Sequence, residues 1–234
     1  MKDSFVKKVF SDVNEKYRIM NDIMSFGIHR LWRRKFMECF GDVEAKILID
    51  VAGGTGDIAK RFIKKGGEKV LVVDNNQDML KRGLMDVLDS GELFLLDSIK
   101  WELGDSVDLN VSEQFDFYSN AFGLRNSSSY MDTISNSFKV VKGGGKILFM
   151  DFLNPRYEKH SVLMTAHEHY LRYIIPVLGK IFANNYDAYH YLSNSIMGFV
   201  SREWILDMLA KFGGCNIKCN VMNNVCAIYS CTKP

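Results

Sequence analysis

Residues 47–57 read ILIDVAGGTGD, and this stretch decides the fold. An apolar run ends in an acid, a glycine cluster follows, and residues 58–63 resume with a helix-like pattern. That order predicts a buried strand, a tight turn and the start of a helix. Because glycines let the backbone turn sharply and let a ligand approach it closely, the turn is a candidate binding site.

The charges around this turn indicate which ligand it favours. Residues 54–59 (GTGDIA) satisfy the dinucleotide fingerprint with alanine in the last position. A pyrophosphate at a helix N-terminus, however, needs bare N–H groups and no anion, whereas Asp50 and Asp57 flank this turn. A cationic ligand would be attracted instead, and S-adenosylmethionine, with its sulfonium and α-ammonium groups, fits.

A second acid ends the next apolar run, residues 69–74 (KVLVVD). Asp74 follows the glycines by about 20 residues, where an open α/β sheet places an acid that accepts hydrogen bonds from ribose hydroxyls. An NAD enzyme would need the same acid, so Asp74 does not separate the two ligands. A helix N-cap or a turn residue is the alternative role for Asp74, because polar residues follow it directly. We interpret it as a ligand-binding residue.

The composition bounds the class of protein. A chain of 234 residues with 47% hydrophobic residues is long enough for one domain with a sizeable core. A net charge of +2 gives no reason to expect a nucleic-acid partner. Without a signal peptide or a run of 18 apolar residues, we expect a soluble cytoplasmic protein. The five cysteines are then expected to be free thiols.

The alternation of apolar runs and helical patterns predicts an α/β, mostly parallel, Rossmann-like sheet. The predicted parallel strands are 46–52, 69–74, 98–104, 115–121 and 145–151, the last fed by a turn at residues 142–145. Two final runs, 215–222 and 225–232, are joined so closely that they predict an antiparallel hairpin. The single domain divides into a helical segment (1–45), an α/β core (46–152), a helical segment rich in aromatic residues (153–199), and a final helix with the hairpin (200–234).

Four stretches of the chain resemble the ubiquinone/menaquinone biosynthesis C-methyltransferases. Residues 17–32 (YRIMNDIMSFGIHRLW) look like the N-terminal signature of that family, and residues 50–57 are similar to its cofactor loop. Residues 121–126 (AFGLRN) and 189–196 (YHYLSNSI) resemble two later signatures, in the correct order and spacing. The resemblance implies a seven-stranded class I methyltransferase sheet. It also implies methyl transfer from S-adenosylmethionine to a ring carbon of a polyprenylated benzoquinol or naphthoquinol.

The resemblance also implies roles for particular residues. The residues that it assigns to the cofactor are Gly53, Gly54, Thr55, Gly56, Asp74, Asp105 and Ser106, with the last two at the adenine edge. The family usually has Asn-Ala at the adenine pair and Ser where this chain has Ala121, so one hydroxyl contact is lost there. Asn224 and Tyr229 also depart from the family, which has Gly and His at these positions.

Arg125 is the candidate catalytic residue. Transfer to carbon is an in-line displacement at sulfonium, so most of the catalysis should be positioning and exclusion of water. The ring carbon becomes nucleophilic when a quinol hydroxyl loses its proton, and Arg125 can stabilise the phenolate or hold a water. Its alternative role is an ion pair that closes its loop. His29 is interpreted as a packing or capping residue rather than the base, and Tyr17 as a cavity or core residue.

Two clusters invite a metal interpretation, which their spacing does not favour. His167, Glu168 and His169 lack the i, i+4 histidine pair of a helical zinc site. Cys226 and Cys231 have opposite strand parity and should face opposite sides of the sheet. We therefore predict no metal, and buried thiols in the hairpin.

Residues 153–199 are predicted to form a lid and an apolar channel for a polyprenyl tail, although simple cover for the sheet is the alternative. The predicted partners are the polyprenylated quinol, a membrane surface contacted peripherally on its inner face, and a second copy or a quinone-synthesis complex. Two other functions stay open: an NAD-dependent oxidoreductase, and a non-catalytic scaffold of a quinone-synthesis complex.

Overall fold

A computed structural model of the chain describes residues 27–111, 114–158 and 162–234. The strands are β1 Ile47–Val51, β2 Lys69–Asp74, β3 Ile99–Leu103, β4 Phe115–Ala121, β5 Val141–Phe152, β6 Cys215–Met222 and β7 Cys226–Thr232. The helices are α1 His29–Phe40, α2 Asp57–Lys64, α3 Gln77–Ser90, α4 Phe94–Ser98, α5 Tyr130–Val140, α6 Val162–His169, α7 Ile175–Ala183, α8 Tyr186–Met197 and α9 Arg202–Lys211. A 3₁₀ turn at Leu124–Asn126 and a π-helical turn at Tyr170–Ile174 complete the described elements.

The strands form one seven-stranded sheet in the order β3-β2-β1-β4-β5-β7-β6. β1 pairs in parallel with both β2 and β4, and β7 runs antiparallel between β5 and β6. The predicted parallel sheet and its terminal antiparallel hairpin are confirmed. From β1 the chain continues to β2 and β3 on one side of the sheet, and then crosses to β4 on the other side of β1. The carboxyl ends of β1 and β4 therefore border a crevice, and sheets of this kind bind ligands at such a crevice.

The glycines at residues 143–145 form a bulge rather than the turn predicted before the fifth strand. Phe115 pairs with Val141 but Phe117 pairs with Lys146, so the intervening residues of β5 protrude from the ladder. Gly144 has a φ of 77°, which an L side chain adopts only with strain. Glycine marks turns and bulges alike, which is why the pattern did not separate them.

Both faces of the sheet are buried, and strand parity assigns each residue to a face. Leu48 packs into the core that contains α1 and α2, whereas Ile49 packs into the core that contains α5 and α9. Cys226 and Cys231 lie in these two different cores, as their parity predicted. The five cysteines are free. In the hairpin Cys226 and Cys231 are buried, but Cys219 is only partly buried and Cys215 is exposed, so the prediction of buried thiols is wrong at Cys215 and holds only in part at Cys219.

Helices of residues 162–199 pack beside the sheet around a small core of their own. Leu171, Ile175 and Tyr189 are buried in that core. The same helices leave several apolar side chains exposed: Tyr173, Ile174, Val177, Ile181, Phe182 and Tyr186. No helix within the described ranges is long and apolar enough to cross a membrane. Tyr17 and most of the predicted N-terminal signature lie outside the described residues.

Candidate cofactor and active site

The glycine turn after β1 is held by its own backbone. Gly53 N–H donates to the Val73 carbonyl at 3.3 Å, and Gly56 N–H donates to the Gly53 carbonyl at 2.8 Å. Gly54 and Gly56 have φ values of 55° and 70°, and a Cβ at Gly56 would collide with the ring of Trp101. The predicted glycines are therefore required by the turn itself, which brings the backbone and Thr55 to the wall of a cleft.

Asp74 closes the turn from the neighbouring strand. Its Oδ2 accepts from Gly54 N–H at 2.8 Å, and its Oδ1 accepts from Asn76 N–H at 2.9 Å. Burial raises the pKa of this carboxyl, against the lowering effect of these hydrogen bonds. The N-cap of α3 is Asn76, whose side chain accepts from Asp78 and Met79 N–H groups. Asp74 is thus not the cap, but its bond to the Asn76 N–H is the turn contact of its alternative role. It also lines the cleft at the end of β2.

Asp50 is a buried acid at the floor of the cleft. Its Oδ1 accepts from the Ser119 hydroxyl at 2.6 Å, while its Oδ2 is buried and has no partner among the described residues. Burial raises its pKa to about 7, and the charges of Asp57 and Asp74 add to that effect, whereas the Ser119 hydroxyl and the nearby Ala59 N–H at the start of α2 act against it. An unpartnered buried acceptor calls for an explanation, and a donor on a bound ligand would satisfy it. In the sequence Asp50 is recognisable as a charge beside the turn, but nothing there predicts its contact with Ser119.

Asp105 and Ser106, the two residues predicted at the adenine edge, make different contacts. Asp105 Oδ1 accepts from Val107 N–H at 3.1 Å, and Asp105 lines the cleft beyond β3. The Ser106 hydroxyl lies 3.1 Å from the hydroxyl of Thr133 and 3.5 Å from that of Ser127. Ser106 therefore fixes the wall of the cleft to α5, and Asp105 presents the carboxylate. The adenine role of the pair remains a prediction.

Arg125 lies on the opposite wall of the cleft, after β4, and only 6% of its surface is exposed. One of its terminal nitrogens lies 2.8 Å from Asp151 Oδ1 and also donates to the Phe122 carbonyl at 2.6 Å. Its backbone N–H donates to Asp151 Oδ2 at 3.0 Å. The guanidinium carbon lies 5.9 Å from the ring centre of Phe122 and 5.1 Å from that of Phe152, and these two rings contact each other. Nε is buried without a partner within the described chain. The ion pair considered as the alternative role exists, and it holds the group at the cleft.

The cleft is predominantly acidic. Its charged lining residues within the described chain are Arg33, Asp50, Asp57, Asp74, Asp105 and Arg125. Arg125 pairs with Asp151, and Asp57 pairs with Arg33 and Arg61. Asp50, Asp74 and Asp105 are therefore lining carboxylates without an ion pair among the described residues. This balance favours a ligand that carries positive charge over a dinucleotide pyrophosphate.

Three further residues noted in the sequence, His29, Asn224 and Tyr229, do not line the cleft. His29 is buried at the start of α1 and does not line the cleft, in accord with a packing role. Tyr229 is buried in β7, and Asn224 occupies the hairpin turn with a φ of 54°. The described residues contain no group of three or more histidines, cysteines or acids that could hold a metal.

Residues 153–199 do not line the cleft that the described chain forms, but they contact its rim. The Tyr191 hydroxyl on α8 donates to Asn126 Oδ1 at 3.3 Å, and Asn126 lines the cleft next to Arg125. This contact joins the helical segment to the wall that carries the candidate catalytic residue. Its role as a lid remains a prediction.

Comparison with known sequences identifies close relatives. The profile of the ubiE/COQ5 methyltransferase family matches residues 1–233. A protein of Cereibacter sphaeroides named ubiquinone/menaquinone biosynthesis C-methyltransferase UbiE is 37% identical over 214 residues, which are 91% of this chain and 83% of that protein. A protein of the same name from Dinoroseobacter shibae is 35% identical over 236 residues, covering 98% of this chain and 90% of that protein.

Solved structures share the fold. A methyltransferase of Thermotoga maritima, described as S-adenosylmethionine-dependent, matches with a TM-score of 0.66 at 14% identity, covering 98% of this chain and all of that one. Phosphoethanolamine N-methyltransferase 2 of Haemonchus contortus, solved with S-adenosylhomocysteine, matches with a TM-score of 0.64 at 13% identity, over 87% of this chain and 52% of that one. Identities this low carry the fold alone.

Proposed function

The chain belongs to the ubiE/COQ5 methyltransferase family, and from that premise we propose that it methylates a ring carbon of a polyprenylated quinol in ubiquinone or menaquinone biosynthesis. The observation that carries the proposal is the acidic cleft, with the unpartnered Oδ2 of Asp50 at its floor. S-adenosylmethionine supplies a methyl group on a sulfonium, which departs as a neutral thioether. An NAD-dependent oxidoreductase is disfavoured because its pyrophosphate would face Asp50, Asp57 and Asp74.

The side chains at the ends of the parallel strands suit successive parts of this ligand. Asp105, after β3, suits the adenine, and Asp74, at the end of β2, suits the ribose hydroxyls. Asp50, near the end of β1, suits the α-ammonium group. The order β3-β2-β1 in the sheet thus matches the order of groups along the molecule.

Arg125 would act on the quinol from the far wall. A guanidinium beside the quinol oxygen stabilises the phenolate, and this lowers the pKa of the hydroxyl and raises the electron density at the ring carbon. The ring proton at the attacked carbon must leave after transfer to restore the aromatic ring. The contacting rings of Phe122 and Phe152 pack beside the guanidinium and would help to exclude water from it.

The direct test is transfer of labelled methyl from S-adenosylmethionine to a methoxy-benzoquinol and to a demethylnaphthoquinol of equal tail length. Ring-methylated product from either quinol supports the proposal, and the ratio of the two rates assigns the substrate. Binding of S-adenosylmethionine without turnover on both quinols would favour the scaffold alternative.

We expect Asp74→Ala to weaken S-adenosylmethionine binding by about 1.5–3 kcal/mol, because the ribose hydroxyls lose a charged acceptor. The substitution also removes the contact with Gly54, so a ligand control is needed. Calorimetry with S-adenosylhomocysteine and with an S-adenosylhomocysteine analogue that lacks the ribose hydroxyls separates the loss of ribose recognition from the loss of the Gly54 contact. Removal of the hydroxyls should weaken binding to the natural chain but cause little further loss in the variant. Equal losses in both proteins would remove Asp74 from ribose recognition.

The quinol tail is proposed to meet the exposed apolar side chains of residues 162–186. Ile181 and Phe182 on α7 are 66% and 50% exposed. Ile175 at the start of the same helix is buried in the core of the segment. A charge at Ile175 would unfold the segment, so the outer residues are the ones to change. This surface would contact the membrane that holds the tail, without a spanning helix.

We expect the apparent Michaelis constant to fall as the tail lengthens, because each buried methylene contributes about 0.8 kcal/mol until the surface is covered. Ile181→Asp should then raise the Michaelis constant for a long-tailed quinol far more than for a tailless one, with S-adenosylmethionine binding unchanged. Leu88→Asp is the matched control, since Leu88 is a similarly apolar and exposed side chain on α3. Equal losses on both quinols, or no dependence on tail length, would make this segment simple cover.

A further inference from the structure

Arg33 is the second cation that lines the cleft, besides Arg125, and the proposed reaction gives it no role. It follows the N-terminal signature directly, on α1, and lines the cleft. Trp32 and Phe36 on the same helix are buried in the core against the sheet. Trp32 also donates through Nε1 to Asn223 in the hairpin turn at 3.3 Å. These contacts fix the helix and therefore the origin of the Arg33 side chain.

The contacts of Arg33 leave most of its guanidinium available. Its Nε lies 3.2 Å from Asp57 Oδ2, and 23% of the side chain is exposed. The terminal nitrogens make no hydrogen bond to any residue that the structure describes. Arg125, by contrast, is bound by Asp151 and by the Phe122 carbonyl. Arg125 also has an unpaired Nε, but its guanidinium is anchored to the buried Asp151. Arg33 keeps both terminal nitrogens clear of the described residues, and such a fork of donors suits a carboxylate.

The position of Arg33 along the sheet indicates which part of the ligand it meets. Its partner Asp57 begins α2, directly after the glycine turn of β1. Asp50, near the end of β1, suits the α-ammonium group, whereas the adenine and ribose sites lie beyond it at β3 and β2. The amino-acid end of S-adenosylmethionine carries a carboxylate next to that ammonium group. Four acids line the cleft, so this carboxylate requires a cation close by.

We propose that Arg33 binds the carboxylate of the methionine moiety, opposite Asp50, so that the two side chains recognise the two charges of the amino-acid end. Asp57 is the positioning residue, because it holds Nε and leaves the terminal nitrogens to the ligand. The inference rests on the proposed function and gives the end of the N-terminal signature a role in donor recognition.

The test compares S-adenosylmethionine with its decarboxylated form, which keeps the sulfonium and the amine but lacks the carboxylate. Calorimetric titration of the full chain gives a dissociation constant for each ligand. Arg33→Ala should weaken S-adenosylmethionine binding by about tenfold or more, the scale of one charge-assisted hydrogen bond, and the decarboxylated form by less than about threefold. Arg33→Lys should recover part of the loss, because it keeps the charge without the fork.

Arg34→Ala is the matched control, since Arg34 lies on the same helix, does not line the cleft and is paired with Glu38. It removes the same charge and should change neither dissociation constant appreciably. Equal losses on both ligands in Arg33→Ala would overturn the inference and leave the proposed function standing. Carboxylate-selective loss in Arg125→Ala instead of Arg33→Ala would also overturn it. If the natural chain binds neither ligand, the proposed function fails together with the inference.

Discussion

Replacing Arg125 by alanine is expected to slow methyl transfer by about tenfold to a thousandfold, the effect of one lost charge-stabilising group. The affinity for S-adenosylmethionine should change little, because the guanidinium lies on the wall opposite Asp74 and is proposed to meet the quinol. Even Arg125→Lys should be impaired, since a point charge cannot both pair with Asp151 and present the planar fork. Single-turnover rates at saturating methyl donor are the measurement.

The ion pair with Asp151 makes a stability control necessary. Arg125→Ala leaves Asp151, which is 1% exposed, as a buried unpaired carboxylate, and such a loss costs about 3–5 kcal/mol. Arg125→Ala combined with Asp151→Asn removes that charge and should recover much of the stability without recovering the rate. If the folded double variant turns over at the natural rate, Arg125 only closes its loop and has no part in the chemistry.

The residues that sequence predicted well are those whose role depends on local pattern. Asp74 ends an apolar run about 20 residues after the glycines, and in a parallel sheet this spacing brings it to the neighbouring strand end. The terminal hairpin follows from a connection too short for any other arrangement. The glycines at residues 143–145 were placed in a turn, because composition does not distinguish a turn from a bulge.

Contacts between distant parts of the chain could not be predicted from the sequence, even where the residues themselves were. Arg125 pairs with Asp151, which lies 26 residues away, and the sequence around neither residue indicates which partner it has. Asp50 is buried against Ser119, 69 residues away. Ala121 predicts the loss of one hydroxyl contact on this strand, whereas the hydroxyl of Ser119, two residues earlier, bonds to Asp50. The charge state of Asp50 depends on this burial, so the sequence identifies the acid but does not predict its pKa.

Asp50 lowers the stability of the ligand-free protein at neutral and higher pH. Its pKa is raised from 3.8 to about 7, so the folded state keeps a proton that the unfolded state releases. Stability is therefore lost as pH rises between about 4 and 7, and a shift of three units corresponds to about 4 kcal/mol. Asp50→Asn keeps a neutral side chain that can bond to Ser119. We expect its free energy of unfolding to exceed that of the natural chain at about pH 8 by up to that amount, and to be nearly equal at about pH 4.

The same substitution should damage ligand binding, because the proposed partner of the α-ammonium group is the ionised form of Asp50. S-adenosylmethionine affinity of the natural chain should rise between about pH 5.5 and 7.5 as this carboxyl ionises, while the α-ammonium group stays largely charged. In Asp50→Asn the rise should vanish, and the affinity at pH 7.5 should be about tenfold to a hundredfold lower. Denaturant unfolding and calorimetry across pH measure the two effects, with Asp89→Asn as the exposed-acid control.

If Asp50→Asn is more stable but binds S-adenosylmethionine more weakly, the ionised Asp50 destabilises the free protein and is needed to bind the ligand. Proteins tolerate such groups where the bound state supplies the missing partner, and the unpartnered Oδ2 of Asp50 is the structural sign of it. A variant that is destabilised at pH 8 would instead mean that the ionised carboxylate is already satisfied in the free protein. A variant that is stabilised but binds S-adenosylmethionine normally would separate the buried acid from recognition. The ammonium group would then have to be held by another of the cleft carboxylates, of which Asp57 is the nearest along the chain.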